Sequence, residues 1–462
     1  MSFVHLPAFA QWLIHRLAPL TLVVMLAAPS AAVASLDAVV PTRLAPELRC
    51  LLGAYALPGQ RSVVITGNNG QPRGLRFTLS NGQFGDLQEL ANGSWSGGSF
   101  AVQFEPCSAD TLRLTQGELV EQGQRLRLVE RATTFTSDGV VLSGKLVLPA
   151  SGPARTLAVW IEGSNNNPST DDTVWQYELA RRGVAVFVYD KRGTGASAGA
   201  PTSDFHARAR DTAAAVTAAQ RLAPGIRRVG VIGASQGGWV APLAATLVPL
   251  DFVVTAFALA EGPIAQDQAL VAQQLREAGF DESAQIQARE LTAITEKIVR
   301  SNLSSREAES GLTELDAFKI RFAGAPWLAA IQPRSYTGLF LKFSSQDIKT
   351  HGAAMAQGLS FDHEPRPVIE AIKPRQLWLL GGSDRQAPNA GTQAILRQLQ
   401  QKRRNIAVVV FPKADHGLIE PAPAGSGAAM AYSAKLFDLA ADWIQDNILP
   451  APGRWVNMPA AH

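Results

Sequence analysis

The sequence predicts a doubly wound α/β chain, with a mostly parallel sheet, an inserted helical cap and a small all-β domain in front. Three observations carry that prediction. From residue 133 onward, short apolar runs alternate with helical stretches, the rhythm of parallel strands joined by crossover helices. The rhythm stops near Glu261 and resumes near Gln376, leaving about a hundred polar, helix-patterned residues between two strands of one sheet. Before residue 130 the apolar runs are shorter and separated by Asn-Gly turns, as in an antiparallel domain.

Residues 1–34 stand outside the fold. Arg16 precedes an apolar run over 17–33 that ends in Ala32-Val33-Ala34, so the segment reads as a secretory signal peptide cleaved before Ser35. An uncleaved anchor is the alternative, although Pro19 and Pro29 shorten the uninterrupted apolar stretch below a comfortable span. The mature protein is then secreted or periplasmic, with no stable membrane insertion after cleavage. Cys50 and Cys107 are the two cysteines of the chain. In an exported protein such a pair suggests a disulfide, two buried thiols being the other possibility.

Over its 462 residues the chain is 46% hydrophobic and 18% charged, with a net charge of +3. The basic cluster at Lys402-Arg403-Arg404 reads as a solvated helix end, so nucleic acid is not an expected partner. Residues 35–130 form the β domain, with strands expected over 61–66, 75–79, 99–104, 111–115 and 126–129. Residues 131–263 carry the first part of the α/β core. A hairpin turns there at Asp138-Gly139, strands fall at 157–161, 184–189, 229–232 and 252–257, and helices at 173–182, 203–222 and 239–248. The cap occupies 264–364, its clearest helices being 266–278 and 282–300. Residues 365–450 return to the core through a strand at 376–380, a helix at 390–401, a strand at 406–411 and a last helix over 429–446. Residues 451–462 are a tail.

The organising motif is Gly233-Ala234-Ser235-Gln236-Gly237, set between a buried strand and an apolar helix. A strand that reverses sharply into a helix holds the serine hydroxyl clear of the sheet, and the glycines keep Cβ atoms out of the crowded turn. A second match, Gly195-Ala196-Ser197-Ala198-Gly199, lacks that context, because loop residues separate it from its strand and no helix follows directly. Ser235 is therefore the candidate nucleophile.

A serine nucleophile needs a base and a group to orient it. Of seven histidines, two lie in the leader, and His416 alone sits in a loop after a late strand, where the order serine, acid, histidine puts the base. Asp384, at the end of the preceding strand, is the orienting carboxylate. Asp415 is a rival, but adjacent side chains rarely point at one another, and it reads as a loop-shaping residue. Oxyanion donors are expected from the backbone N–H of Gln236 and from the loop Ile161-Glu162-Gly163-Ser164-Asn165, with Ser164 first and Asn165 second. The run Asn165-Asn166-Asn167-Pro168 equally fits a turn with no catalytic part.

These segments together resemble the α/β-hydrolase superfamily, near its serine esterase, thioesterase and aminopeptidase-like branch. The resemblance runs from residue 133 to the C-terminus. It rests on the stretches 137–144 and 189–197, on Ser235 in its turn, on Gly381-Gly382-Ser383-Asp384 with Pro388, and on Asp415-His416-Gly417. It implies Ser235, Asp384 and His416 as a triad, and 189–197 as a structural loop. Many members carry His-Gly at the oxyanion loop; here Glu162 precedes Gly163, which leaves the second donor open.

The expected reaction is cleavage of a small-molecule carboxylic ester through an acyl-enzyme, with no metal or organic cofactor. A peptidase, amidase or thioesterase on the same residues is the rival, with Glu162 the conceivable anchor for a substrate amine. A binding protein on a hydrolase scaffold is the alternative class. Phe322, Trp327, Tyr336, Phe340 and Phe343 of the insert either line an acyl pocket or form the cap's own core.

Overall fold

A computed structural model describes residues 43–449, apart from 151, 302, 304, 305, 357, 359, 403 and 404, together with 455–457. The expected signal peptide lies outside the described residues. Among the described residues no helix is long and apolar enough to cross a membrane.

Eight antiparallel strands come first: β1 (Gly53–Leu57), β2 (Arg61–Gly67), β3 (Leu75–Leu79), β4 (Gln83–Glu89), β5 (Trp95–Gly97), β6 (Phe100–Phe104), β7 (Thr111–Gln116) and β8 (Leu119–Arg125). Each pairs with the next, and β8 returns to β1 through Arg125–Tyr55 and Gln124–Ala56, closing a barrel. Closure removes the exposed edges that a short-stranded open sheet would leave. The interior is filled by Tyr55, Phe77, Trp95, Phe100 and their aliphatic neighbours. A disulfide joins Cys50, in a 3-10 turn before β1, to Cys107 between β6 and β7.

The second sheet contains β9 (Val129–Ser137), β10 (Val140–Leu148), β11 (Thr156–Ile161), β12 (Ala185–Tyr189), β13 (Arg228–Ala234), β14 (Phe252–Ala256), β15 (Arg375–Gly381) and β16 (Ile406–Phe411). A hairpin, β17 (Ile419–Pro421) and β18 (Met430–Tyr432), follows, and β19 (Trp455–Asn457) lies beside β16. The order is β19-β16-β15-β14-β13-β11-β12-β10-β9, parallel from β19 to β12, with β10 antiparallel to both neighbours. The β9–β10 turn is the expected one: Asp138 and Gly139 both have positive φ, at 46° and 76°, as a two-residue hairpin with the strand's own twist demands.

Helices cover both faces: α1 (Ser169–Asp172), α2 (Trp175–Ala180), α3 (Phe205–Leu222) and α4 (Gly237–Leu247). The cap is α5 (Pro263–Glu277), α6 (Glu282–Arg300), α7 (Arg306–Arg321), α8 (Pro326–Ala330), α9 (Tyr336–Lys342) and α10 (Ser345–Ala356), and α11 (Pro365–Ala371) returns to the core, where Ile369 packs with Trp378 and Leu380. α12 (Ala390–Lys402) and α13 (Leu436–Asp446) complete the core. The doubly wound sheet with an inserted helical cap and an N-terminal all-β domain is the architecture the sequence predicts.

Details differ from expectation for physical reasons. β1, β4, β5 and β8 were not foreseen, and 126–129 is not a barrel strand, since β9 begins at Val129 and pairs with β10. The expected helix over 173–182 is α2 alone, preceded by the separate turn α1. The expected helix over 429–446 is shorter, because β18 takes its first residues: Met430 and Ala431 pair with Phe84 and Gln83 of β4, and Lys435 at φ 60° interrupts the chain before α13.

The barrel and the sheet share one core. Trp160 stacks on Trp175 at 5.4 Å, and Trp175 meets Phe437 edge-on at 5.1 Å, in the apolar cluster that also holds the barrel interior. Polar contacts line the same junction. Asp172 accepts from the Gly70 N–H at 2.7 Å, and Asp171 pairs with Arg49 at 3.2 Å. Gly67 packs so closely on Asp172 that a Cβ there would overlap its carboxylate, which is why the strand ends on glycine.

Candidate active site

Ser235 lies between β13 and α4 at φ 51°, left-handed backbone that a non-glycine residue holds only when its surroundings impose it. Its N–H donates to the Ala256 carbonyl at 2.9 Å. A Cβ on Gly233 would collide with the Gly237 carbonyl, and one on Gly237 with the Ile161 carbonyl. Both glycines are thus required by crowding at the turn. Ser197, of the second motif, is buried. It donates to the Asp190 carbonyl at 2.6 Å and accepts from the Ser143 N–H at 2.9 Å, a structural part of its loop.

The structure brings Ser235, His416 and Asp384 together. His416 Nε2 is 3.0 Å from Ser235 Oγ, and His416 Nδ1 is 2.9 Å from Asp384 Oδ2. The other Asp384 oxygen accepts from the Gln386 and Ala387 N–H groups at 2.9 and 2.7 Å. A carboxylate so placed accepts only, so His416 carries its proton on Nδ1 and offers a bare Nε2 to the serine hydroxyl. Burial lowers the His416 pKa, but the charge and hydrogen bond of Asp384 outweigh it, holding the imidazole above its ordinary 6.5. Phe257 meets its ring edge-on at 5.1 Å. Asp415 accepts from the N–H groups of Arg385 and His416, each at 2.8 Å, and shapes the loop as expected.

The loop expected to supply the second oxyanion donor is held from behind. Gly163 lies against Ser235, its hypothetical Cβ falling 3.3 Å from the serine Cβ. Lys191 Nζ donates to the Gly163 carbonyl at 2.9 Å and also to the Asn165 carbonyl. In a trans peptide the C=O and the next N–H point opposite ways. Anchoring the Gly163 carbonyl on Lys191 therefore turns the Ser164 N–H away from Lys191. The Gly163 N–H is occupied, donating to Glu162 Oε1 at 2.9 Å. Arg208 reaches both sides of the site, binding the Glu162 carbonyl and the Gln236 side-chain oxygen. Burial depresses the pKa of Lys191, with the Arg208 charge adding to the effect.

Glu162 is engaged inside the protein. Its carboxylate also accepts from Trp160 Nε1, Asn165 Nδ2 and Ser169 Oγ at 2.9–3.1 Å. Burial raises its pKa, but the bonds from Trp160, Gly163 and Asn165 and the charge of Lys191 bring it below the ordinary value. Four donors leave it poorly placed to anchor a substrate amine. Of the five aromatics proposed for a pocket, Tyr336 lines the cavity beside Ser235. Trp327 and Phe340 are buried in the cap's own core, and Phe322 and Phe343 pack against it.

A family model described as alpha/beta hydrolase family matches residues 163–426, more than half of the chain. The chain belongs to the alpha/beta hydrolase family. Among solved structures, this hydrolase is similar to a Pyrococcus furiosus esterase at 17% identity, over 63% of this chain and 84% of that one, with a TM-score of 0.39. It is similar also to the Pyrococcus horikoshii acylaminoacyl peptidase at 13% identity, over 83% and 55% of the two chains, with a TM-score of 0.42. An alpha/beta hydrolase fold protein from Chitinophaga pinensis aligns at 16% identity over 63% and 91%, with a TM-score of 0.35. Comparison with curated proteins gives no match.

Lys191, Arg208 and Arg334 were not singled out by the sequence as site residues. Lys191 sits within the 189–197 motif, and that is the one signal that pointed toward it. Arg334 also lines the cavity beside Ser235.

Proposed function

We propose that this hydrolase is an exported serine esterase that cleaves small carboxylic esters through an acyl-enzyme. The hydrogen-bonded chain Ser235–His416–Asp384 is the observation that carries the reading. His416 Nε2 takes the Ser235 proton as Oγ attacks the ester carbonyl carbon, and Asp384 stabilises the imidazolium through Nδ1–H. The carbonyl oxygen becomes an oxyanion, received by the backbone N–H groups of Gln236 and Ser164. The tetrahedral intermediate collapses, the C–O bond to the alcohol breaks, and His416 returns the proton to the leaving oxygen. Water then repeats the sequence on the acyl-serine, releasing the acid and restoring Ser235. The Cys50–Cys107 disulfide supports an oxidising destination, outside the cytoplasm.

Occupation of the Glu162 carboxylate by four protein donors favours an esterase over an aminopeptidase that would hold a substrate amine there. The test is a panel of p-nitrophenyl esters and aminoacyl anilides on wild type and Ser235→Ala, with fluorophosphonate labelling alongside. Ester turnover and labelling both fall with Ser235→Ala, turnover by about 10⁴–10⁶-fold. Anilide turnover far above ester turnover replaces the esterase by a peptidase. Absence of label on folded wild type removes the catalytic reading altogether.

A further inference from the structure

The cavity beside Ser235 holds roughly 160 Å³ between the α/β core and the cap. Much of its wall is apolar, including Phe205, Trp239, Phe257, Leu259, Leu270 and Leu339. Two charged residues are among those lining it, Asp267 and Arg334, and their situations are opposite.

Asp267, on α5, is 3% exposed. It accepts from the Thr337 N–H at 3.1 Å and the Thr337 hydroxyl at 2.6 Å, with Ser335 and the Tyr336 N–H adding support. Its carboxylate is spent on fastening the first turn of α9. Arg334 stands just before that turn and is half-buried, yet among the described residues its guanidinium has no hydrogen-bond or ion-pair partner.

The backbone beneath Arg334 is firmly built. The Arg334 N–H donates to the Gln332 carbonyl at 2.7 Å, and the Gln332 N–H donates to Gln274 Oε1 of α5 at 2.9 Å. Gly338 of α9 packs so tightly on the Gln332 carbonyl that any Cβ would overlap it. The residue is therefore held at the cavity wall by α5 and α9, while the five N–H donors of its side chain go unused. Partial burial has removed some of its water without supplying a protein acceptor. A planar carboxylate repairs that loss, because it matches the guanidinium fork with two parallel hydrogen bonds. A plain fatty-acyl chain leaves the charge against methylenes.

We propose that Arg334 is the counter-ion for a carboxylate on the substrate, so that the preferred esters are those carrying an anionic group a short apolar spacer away from the scissile carbonyl. The proposal rests on the esterase reading for its chemistry, but the anion site itself can be measured without turnover. The apolar wall takes the spacer, and Arg334 fixes its far end.

The deciding pair of substrates is p-nitrophenyl hexanoate and the p-nitrophenyl monoester of hexanedioic acid, which differ in the terminal carboxylate. The ratio of kcat/KM, anionic over neutral, favours the anionic ester in wild type and falls by about tenfold or more in Arg334→Gln, with the change carried by KM. Arg334→Lys, which keeps the charge and loses the fork, gives an intermediate ratio. An unchanged ratio in Arg334→Gln, or a wild-type preference for the neutral ester, overturns the proposal. Calorimetric binding of hexanedioate against hexanoate to wild type and Arg334→Gln supplies the independent arm. Tighter binding of hexanedioate that is lost in Arg334→Gln upholds the anion site even if no ester is turned over, and then the esterase reading is what fails. Equal binding of the two acids by wild type removes the anion site and leaves the esterase reading standing.

Discussion

The barrel and the cap are both additions to one sheet, attached in opposite ways. Tyr55, Phe77 and Trp95 of the barrel lie in the same apolar cluster as Trp160, Trp175 and Phe437 of the sheet and its helices. The cap keeps a cluster of its own around Leu291, Phe318 and Trp327. The barrel also touches the loops that hold the site: α1, directly after the oxyanion loop, is tied to Gly70, and β18, a little after His416, pairs with β4. The cap instead contributes cavity wall, with Asp267, Arg334 and Tyr336. A shared core makes an added domain part of the machine's geometry. A separate core leaves it free to shape what enters.

Equal deletions in the two additions test that contrast first. Phe77→Ala and Phe318→Ala each remove a fully buried ring, at a cost of about 3–5 kcal/mol. In Phe77→Ala the barrel and sheet lose stability together, so activity and tryptophan fluorescence melt in one transition. In Phe318→Ala the cap opens below the global transition, and activity is lost at lower denaturant than the bulk signal. Coincident melting in both variants breaks the comparison.

A smaller effect is expected where the barrel-side scaffold meets the chemistry. Lys191→Met releases the Gly163 carbonyl and with it the direction of the Ser164 N–H. Ester kcat falls by about tenfold to a hundredfold, while KM moves little. A loss confined to KM assigns Lys191 to substrate binding instead.

The most gradual effect is in pH dependence at the junction. Burial pushes the Asp172 pKa from 3.8 to about 8, the Gly70 N–H opposing and Asp171 and Glu162 adding. The folded protein thus keeps a proton that the unfolded chain releases. Its contribution to stability is complete below 3.8 and is lost as pH rises through about 8. Asp172→Asn, which retains an acceptor for Gly70, gains on wild type by at most about 1.4 kcal/mol per pH unit across that window. Parallel stability profiles for the two proteins, followed by denaturant titration from acid to mildly basic pH, remove Asp172 from the account.

What was legible in the chain was local or ordered. The strands 157–161, 184–189 and 406–411 are unbroken apolar runs, and the Ser235 turn announces itself by its glycines. Asp384 and His416 follow from their order along the sheet. Closure of the barrel was not legible, because the β8–β1 pairing depends on register between distant strands. The segment over 429–434 reads as helix from its alanines, yet pairing with β4 overrides that weak preference. Lys191, Arg208 and Arg334 escaped for a related reason. A lone cation has no sequence signature for its partner, and its role is decided by which loop the chain folds back beside it.

The β17–β18 hairpin gives the molecule a late step in its assembly. The barrel strands are synthesised before the sheet, but Phe84 meets Met430 only after the cap and every strand from β9 to β16 have been made. One stretch of the N-terminal barrel, the start of β4, is thus covered by a hairpin that follows the loop bearing His416. The seam between barrel and sheet is thereby completed only when β18 arrives.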